Sequence, residues 1–171
     1  MTIPKFRSLI LSVFALIGVA LVLVSEVQAS SASDKSEIVA RFQSLIAAYG
    51  HGDVNAIMAF YSDDPGAIFF EDTIPFQVDK AALRNGLEVF YKTISDFRAR
   101  VESLDVQTSG DLAVVHCAIH NTWNDKNGAH MQTSRDTDVF RKEDGKWLIW
   151  HEHFSVPFDP ATGKAALNAK P

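Results

Sequence analysis

The sequence predicts an α+β fold, a curved antiparallel sheet packed against about three helices, and three observations carry that expectation. Beyond residue 35, apolar residues recur at helical spacing; after Ile94 they change to period two. Three segments of hairpin-turn chemistry punctuate the second half: Ser109-Gly110-Asp111, Asp125-Lys126-Asn127-Gly128 and Glu143-Asp144-Gly145. The composition, 47% hydrophobic and 22% charged with one cysteine among 171 residues, describes a globular core built without an intrachain disulfide. Helices placed before a run of hairpins give segregated layers rather than alternating βα units.

The first 29 residues stand apart. Lys5 and Arg7 precede an uncharged run from Leu9 to Val24, and Val27 and Ala29 fit the small-residue rule for signal-peptidase cleavage. The run has 16 residues, short of the about 20 that a membrane span needs. Residues 1–29 are therefore expected to be a signal peptide, with an uncleaved anchor as the alternative, and the protein to be exported, to a periplasm or outside the cell. No cysteine follows the apolar run, so a lipid anchor is excluded, and no membrane association is expected after removal of the signal. The remainder divides into a linker at 30–35, a domain at 36–158 and a tail at 159–171.

The elements follow in order. Asp34 with Glu37 resembles a capping box for a first helix. Ile38, Phe42, Leu45, Ile46 and Tyr49 form its apolar face, and Gly50 and Gly52 end it. Asp53 is placed to cap a short second helix with Val54, Ile57, Met58 and Tyr61 apolar; Asp63-Asp64-Pro65-Gly66 is a turn. Residues 67–71 read as a strand and 73–78, containing Pro75, as a loop. Asp79 caps a third helix carrying Leu83, Leu87, Phe90, Tyr91 and Ile94. Four strands are expected at 98–107, 112–123, 130–142 and 147–156.

The charge balance excludes one class of function. Sixteen basic against 21 acidic residues leave a net charge of −5, and no basic stripe is present to neutralise phosphates, so nucleic-acid binding is not expected. No glycine-rich phosphate loop occurs, and the serines lack a nucleophile-elbow context. Cys117, inside an apolar strand, reads as a buried small hydrophobe.

The order of elements, together with Tyr49-Gly50-His51-Gly52-Asp53, Phe60-Tyr61-Ser62-Asp63-Asp64, Phe70-Glu71-Asp72 and the segment from Phe140 through Trp147 to Pro157, resembles the nuclear transport factor 2-like superfamily. The resemblance is closest to its SnoaL-like and ketosteroid-isomerase-like members and assigns residues 36–158 to a SnoaL-like domain. It implies a cone-shaped sheet enclosing a pocket open at one end, and a homodimer formed through the outer sheet face. The fold itself does not choose between isomerases, cyclases, dehydratases and binding modules.

Within the resemblance, Asp72 falls where ketosteroid isomerases keep their general base. A carboxylate beside Phe69, Phe70 and Phe76 at the rim of an aromatic pocket is desolvated, which suits proton abstraction next to a carbonyl. The other reading is a carboxylate that caps the loop after a strand. Asp138 aligns with the isomerase carboxylic acid that donates to the oxyanion, a role that needs an apolar site; Arg135 and Arg141, close in sequence, favour an ionised Asp–Arg pair instead. Leu45 occupies the position of the expected oxyanion tyrosine, with Tyr49 one turn later, which argues against steroid isomerisation.

Uniform strand phase puts His151, His153 and Ser155 on one face with Trp147 and Ile149, and Trp150, Glu152 and Phe154 on the other. His151 and His153 are then expected to assist Asp72, and Trp150 and Phe154 to anchor the dimer. His116 and His120 share a phase and, with His151 and His153, are residue types that ligate metals; hydrogen-bonded polar groups are the commoner role, so neither a metal nor a cofactor is expected. His116 and Arg135 are expected either to bind an acidic ligand group or to form an ordinary sheet ion pair. Tyr49, Tyr61, Phe70, Phe90, Trp123 and Trp147 complete the expected pocket. The expected ligand is a small apolar molecule bearing a carbonyl or carboxylate. The expected activity is isomerase, cyclase or lyase chemistry, and the alternative a non-catalytic dimeric binding or accessory module.

Overall fold

The computed structural model of the protein describes residues 32–73 and 77–170. The expected signal peptide, and Pro75 and Phe76 of the expected loop, lie outside the described residues.

Helix α1 (32–51) is already formed at residue 32, so residues 32–35 are helical rather than linker and Asp34 is not its cap. Asp34 instead accepts from the Lys142 ammonium at 2.8 Å, an ion pair that ties the start of the helix to the sheet. Ile38, Phe42 and Leu45 are fully buried, as their spacing requires. Gly52 ends the helix with φ +66°, and a Cβ there would meet the Tyr91 ring at 3.0 Å. Only glycine meets both demands. The Tyr91 hydroxyl donates to the Tyr49 carbonyl at 2.6 Å, clamping this helix end to the third helix.

The other two expected aspartate caps are present. Asp53 accepts from the Ala56 N–H at 3.0 Å and opens α2 (Val54–Met58). Asp79 accepts from the Ala82 N–H at 2.8 Å and opens α3 (Lys80–Thr93).

The strands are β1 (Ile68–Phe70), β2 (Ser95–Ser109), β3 (Leu112–Asp125), β4 (Gly128–Glu143) and β5 (Lys146–Ser155). They form one sheet in the order β1-β5-β4-β3-β2. The long strands pair antiparallel through hairpins, and β1 joins the edge parallel to β5. The β4–β5 turn carries Asp144 and Gly145 at φ 48° and 79°, the left-handed pair that a tight two-residue hairpin demands. Helical residues Ile38, Phe42, Leu45 and Leu83 share one core with Val106, Val115, Ile119, Phe140, Trp147 and Ile149 from the sheet. The tail forms a small hairpin, β6 (Phe158–Asp159) with β7 (Lys164–Ala165), and the Leu167 carbonyl accepts from the Thr133 N–H at 2.7 Å. Among the described residues no helix is long and apolar enough to cross a membrane.

One irregularity decides the chemistry of the interior. On β5, Ile149 pairs with Phe140 and His151 with Val139, so two steps on β5 oppose one on β4 and Trp150 is the extra residue. Such a bulge reverses side-chain phase beyond it. Trp147 and Ile149 face the core before the bulge; Glu152 and Phe154 face it afterwards. The bulge sends His151 and His153 to the outer face.

Candidate functional site

The inner face of the sheet, α1 and α3 enclose a cavity of about 320 Å³. Its walls are apolar and aromatic: Phe42, Leu87, Phe90, Phe97, Trp123 and Phe154 among them. Its ionisable lining consists of Tyr49, Glu71, Asp72, Asp136 and Glu152, without a lysine, arginine or histidine among the described residues.

The mouth is built by the chain leaving β1. Asp72, half-buried, accepts from the Ser134 hydroxyl at 3.1 Å and from the Gln132 amide, both on β4. Burial raises its carboxyl above the ordinary range, and those two hydrogen bonds oppose the shift by favouring the charged form. Glu71 is pushed up to about 7, by burial first and by the neighbouring Asp72 second. Its Oε1 has no hydrogen-bond partner.

The floor is carboxylic. Asp138 lies directly opposite Glu152 in the β4–β5 ladder, and Asp136 is the next inward residue on β4. All three are buried, and one carboxyl oxygen from each lies within 4.8 Å of the others. Burial pushes Asp136 up to about 8, with Glu71 adding repulsion. Burial raises Asp138 and Glu152 well above the ordinary range, reinforced by their acidic neighbours. Glu152 accepts from the Tyr61 hydroxyl at 2.9 and 3.0 Å, and Tyr61 is 2.8 Å from the Tyr49 hydroxyl.

The expected site residues divide between this cavity and other places. Asp72, Tyr49, Phe90 and Trp123 line the cavity. Tyr61 reaches it through its hydrogen bond to Tyr49. Trp147 is fully buried and does not line it; Lys142 stands over its ring at 5.2 Å. Asp138 stands behind Glu152 and is not paired with Arg135 or Arg141, which belong to the other phase of β4. Arg141 instead binds Asp64 at 2.6 Å and Glu143 at 2.7 Å, so the expected Asp–Arg pair is replaced by a cluster of acids.

Five expected site residues face outward. Arg135 is exposed. His116 is 3.9 Å from Asp105. His151 contacts the Ile68 carbonyl at 2.8 Å, and with His153 it packs edge-on to Phe70, 5.2 and 5.5 Å between ring centroids. Phe70 therefore belongs to the outer surface. His120, the remaining expected histidine, bridges Thr133 and Glu102. Of the two expected dimer anchors, the same bulge turns Phe154 inward and leaves Trp150 outside the cavity. Phe154 lines the cavity, and Trp150 is partly covered by Arg141, 5.2 Å above its ring.

Sequence reasoning missed Glu71, Asp136 and Glu152. Asp136 shares its phase with Asp138 and Phe140, and Glu152 stands between Trp150 and Phe154 at period two. An acid inside an apolar alternation is the signal that marks such a group.

Among curated proteins none matches the chain. Among solved structures, a nuclear transport factor 2-like protein of unknown function from Pseudomonas putida is 28% identical, with a TM-score of 0.72 over 82% of this chain and 99% of that one. A protein from Xanthomonas campestris assigned as a calcium/calmodulin dependent protein kinase II association domain is 26% identical, with a TM-score of 0.60 over 70% of this chain and 84% of its own. A protein from Streptomyces avermitilis assigned as a dehydratase of the nuclear transport factor 2-like family is 15% identical, with a TM-score of 0.67 over 74% and 98%, and shares the fold. The sequence model of the SnoaL-like domain matches residues 38–159. With that match spanning most of the chain and these folds superposing on it, the protein belongs to the SnoaL-like domain family of the nuclear transport factor 2-like superfamily.

Proposed function

We propose that the protein binds a small, mostly apolar, carbonyl-bearing molecule and moves a proton on it, as a cofactor-free isomerase or lyase does. The observation that carries this reading is an apolar cavity whose ionisable lining is made only of carboxyls and a tyrosine hydroxyl. A carboxylate-bearing ligand loses support, because among the described residues no cation lines the cavity to receive it.

Two adjacent acids at the mouth sit in different surroundings, Asp72 with hydrogen bonds that favour its charged form and Glu71 more strongly raised by burial, and such a pair can supply both a base and an acid. Asp72, kept charged by Ser134 and Gln132, takes a proton from the carbon beside the carbonyl. The C–H electron pair moves toward the carbonyl oxygen as an enolate. Glu71, with its carboxyl at about 7, is half protonated near neutrality and donates to that oxygen. His151 and His153 have no part, since they face outward.

The test is proton exchange at the α-carbon of a panel of aryl ketones in heavy water, followed by NMR. The wild-type protein is expected to accelerate exchange. Asp72→Asn should reduce the enzymatic rate about 100-fold or more, with ketone affinity retained. Full exchange in Asp72→Asn sinks the assignment of the base.

A second reading is a non-catalytic dimeric association or accessory module. The Xanthomonas structure favours it, as do the exposed apolar residues Leu112 and Val114 on the outer face. An association module shows no exchange with any ketone, so the same experiment separates the two.

A further inference from the structure

The floor of the cavity holds three acids that the proton transfer at its mouth does not use. Asp136 and Glu152 line the cavity and Asp138 stands behind them. Asp136 is 3% exposed and its Oδ1 has no hydrogen-bond partner; Asp138 is fully buried and neither of its oxygens has one. The Asn121 Oδ1 on the wall is likewise without a partner. Among the described residues none supplies a cation to this end of the cavity: the arginines of β4 point the other way and the lining contains no basic side chain. Buried acceptors without partners call for a ligand that donates hydrogen bonds.

The spacing says what kind of donor. The three carboxyl oxygens lie within 4.8 Å of one another, a span that the N–H donors of one ammonium group can bridge. A hard divalent cation asks for six or more oxygens. The walls around the floor are mostly apolar and offer few further oxygens to complete such a shell. Those walls are suited to a cation on an organic body: Tyr49, Phe90, Trp123 and Phe154 offer ring faces, which attract ammonium groups. The volume of about 320 Å³ admits a single ring with a short chain.

We infer that the cavity selects a protonated primary amine carried on a small apolar body, the ammonium seated on Asp136 and Glu152 and the body among Leu87, Phe90 and Trp123. This rests on the pocket reading above and names the ligand class for it. In the empty protein burial and acidic neighbours favour the protonated form of all three acids. An arriving ammonium replaces those protons as the partner of the carboxyl oxygens, so binding releases protons to solvent.

Calorimetric titration of the full chain with phenethylamine, phenethyl alcohol and hydrocinnamate tests this with one molecular shape and three charges. The amine is expected to bind about ten-fold tighter than the alcohol or better, and hydrocinnamate weakest of all. Asp136→Asn should remove most of the amine's advantage while leaving alcohol affinity within about two-fold, and Glu152→Gln provides the same test should the first variant fail to fold. Equal or tighter binding of the alcohol overturns the amine inference and leaves the pocket reading standing. Binding of none of the three overturns the amine inference, and the ketone-exchange experiment then decides the pocket reading separately. Binding of manganese(II) that is lost in Asp136→Asn, without amine binding, assigns the floor to a metal and overturns the inference as well.

Discussion

The inner and outer faces of the same sheet treat carboxyl groups in opposite ways. On the inner face Asp136, Asp138 and Glu152 are buried against one another and their protons are held tightly. On the outer face Glu102 accepts from His120 and Arg100 and is held below its ordinary range, and Asp105 is lowered by Gln107 and Lys35. The residue types are the same and the strands, β4 and β5 inside against β2 outside, belong to one sheet. What differs is solvent and the sign of the neighbours: cations and donors outside, acids and hydrocarbon inside. The Trp150 bulge decides which side each residue of the last strand joins. Without it Glu152 would be one more solvated acid and His153 would line the pocket.

The comparison is tested most severely at Trp147. Its side chain is fully buried on the inner face near the β4–β5 turn, packed in one core with Tyr61, Phe140 and Ile149. Trp147→Ala should cost about 3–5 kcal/mol. For a chain of this size that lowers Tm by roughly 6–20 °C. Thermal unfolding followed by circular dichroism measures it. A loss of only a degree or two would show that the inner face is not the stability centre described here.

A smaller effect separates the faces by pH. Asp136 is raised from its ordinary 3.8 to about 8, and Glu71 from 4.5 to about 7. Below pH 4 both the folded and unfolded chains hold these protons, and no penalty exists. As pH rises the unfolded chain releases them first, so stability falls progressively until the folded groups release them near 7 and 8. The outer acids have lowered values and work the other way, contributing stability that is lost in acid. Tm should therefore decline between pH 5 and pH 8. Asp136→Asn, which has no proton to release, should flatten the decline and be the more stable protein at pH 8 by a few degrees. Parallel Tm curves for the two proteins would contradict the assignment of Asp136 as a buried neutral acid.

The two faces were also unequally legible. Apolar spacing in α1 located Ile38, Phe42 and Leu45, the Asp53 and Asp79 caps set two helix starts, and Gly110, Gly128 and Gly145 marked three hairpins, because these signals act within a few residues of themselves. Tyr49, Phe90, Trp123 and Asp72 reach the cavity as their positions suggested. What failed was long-range. Alternation assumes a regular ladder, and a bulge depends on how β4 and β5 meet, which neither strand shows alone. One extra residue at Trp150 moved four side chains, His151, Glu152, His153 and Phe154, to faces opposite to those expected. Asp34 escaped for a related reason: its partner Lys142 is 108 residues away. Asp138 was judged by neighbours in sequence, Arg135 and Arg141, when its neighbours in space are Glu152 and Asp136.

The mildest expected change lies on the outer face, and it separates the bulged arrangement from uniform strand phase. Under uniform phase His153 lines the pocket and assists the base, and its loss should impair proton exchange by about 100-fold. In the bulged sheet it is exposed and touches Phe70 from outside, far from Asp72's partners Ser134 and Gln132. Exposed side chains away from caps, buried networks and strained turns usually change stability by no more than about 0.5 kcal/mol. Arg135→Ala tests the same point from β4, because Arg135 pairs in register with Ser155 at the same outer surface. Both His153→Ala and Arg135→Ala should thus leave Tm within about 2 °C of the wild-type value and the exchange rate unchanged, while Asp72→Asn abolishes it. A His153→Ala protein that keeps its Tm yet loses exchange would mean that the phase reversal at Trp150 does not hold in solution, and the inner face would have to be redrawn with the histidines inside and Glu152 out.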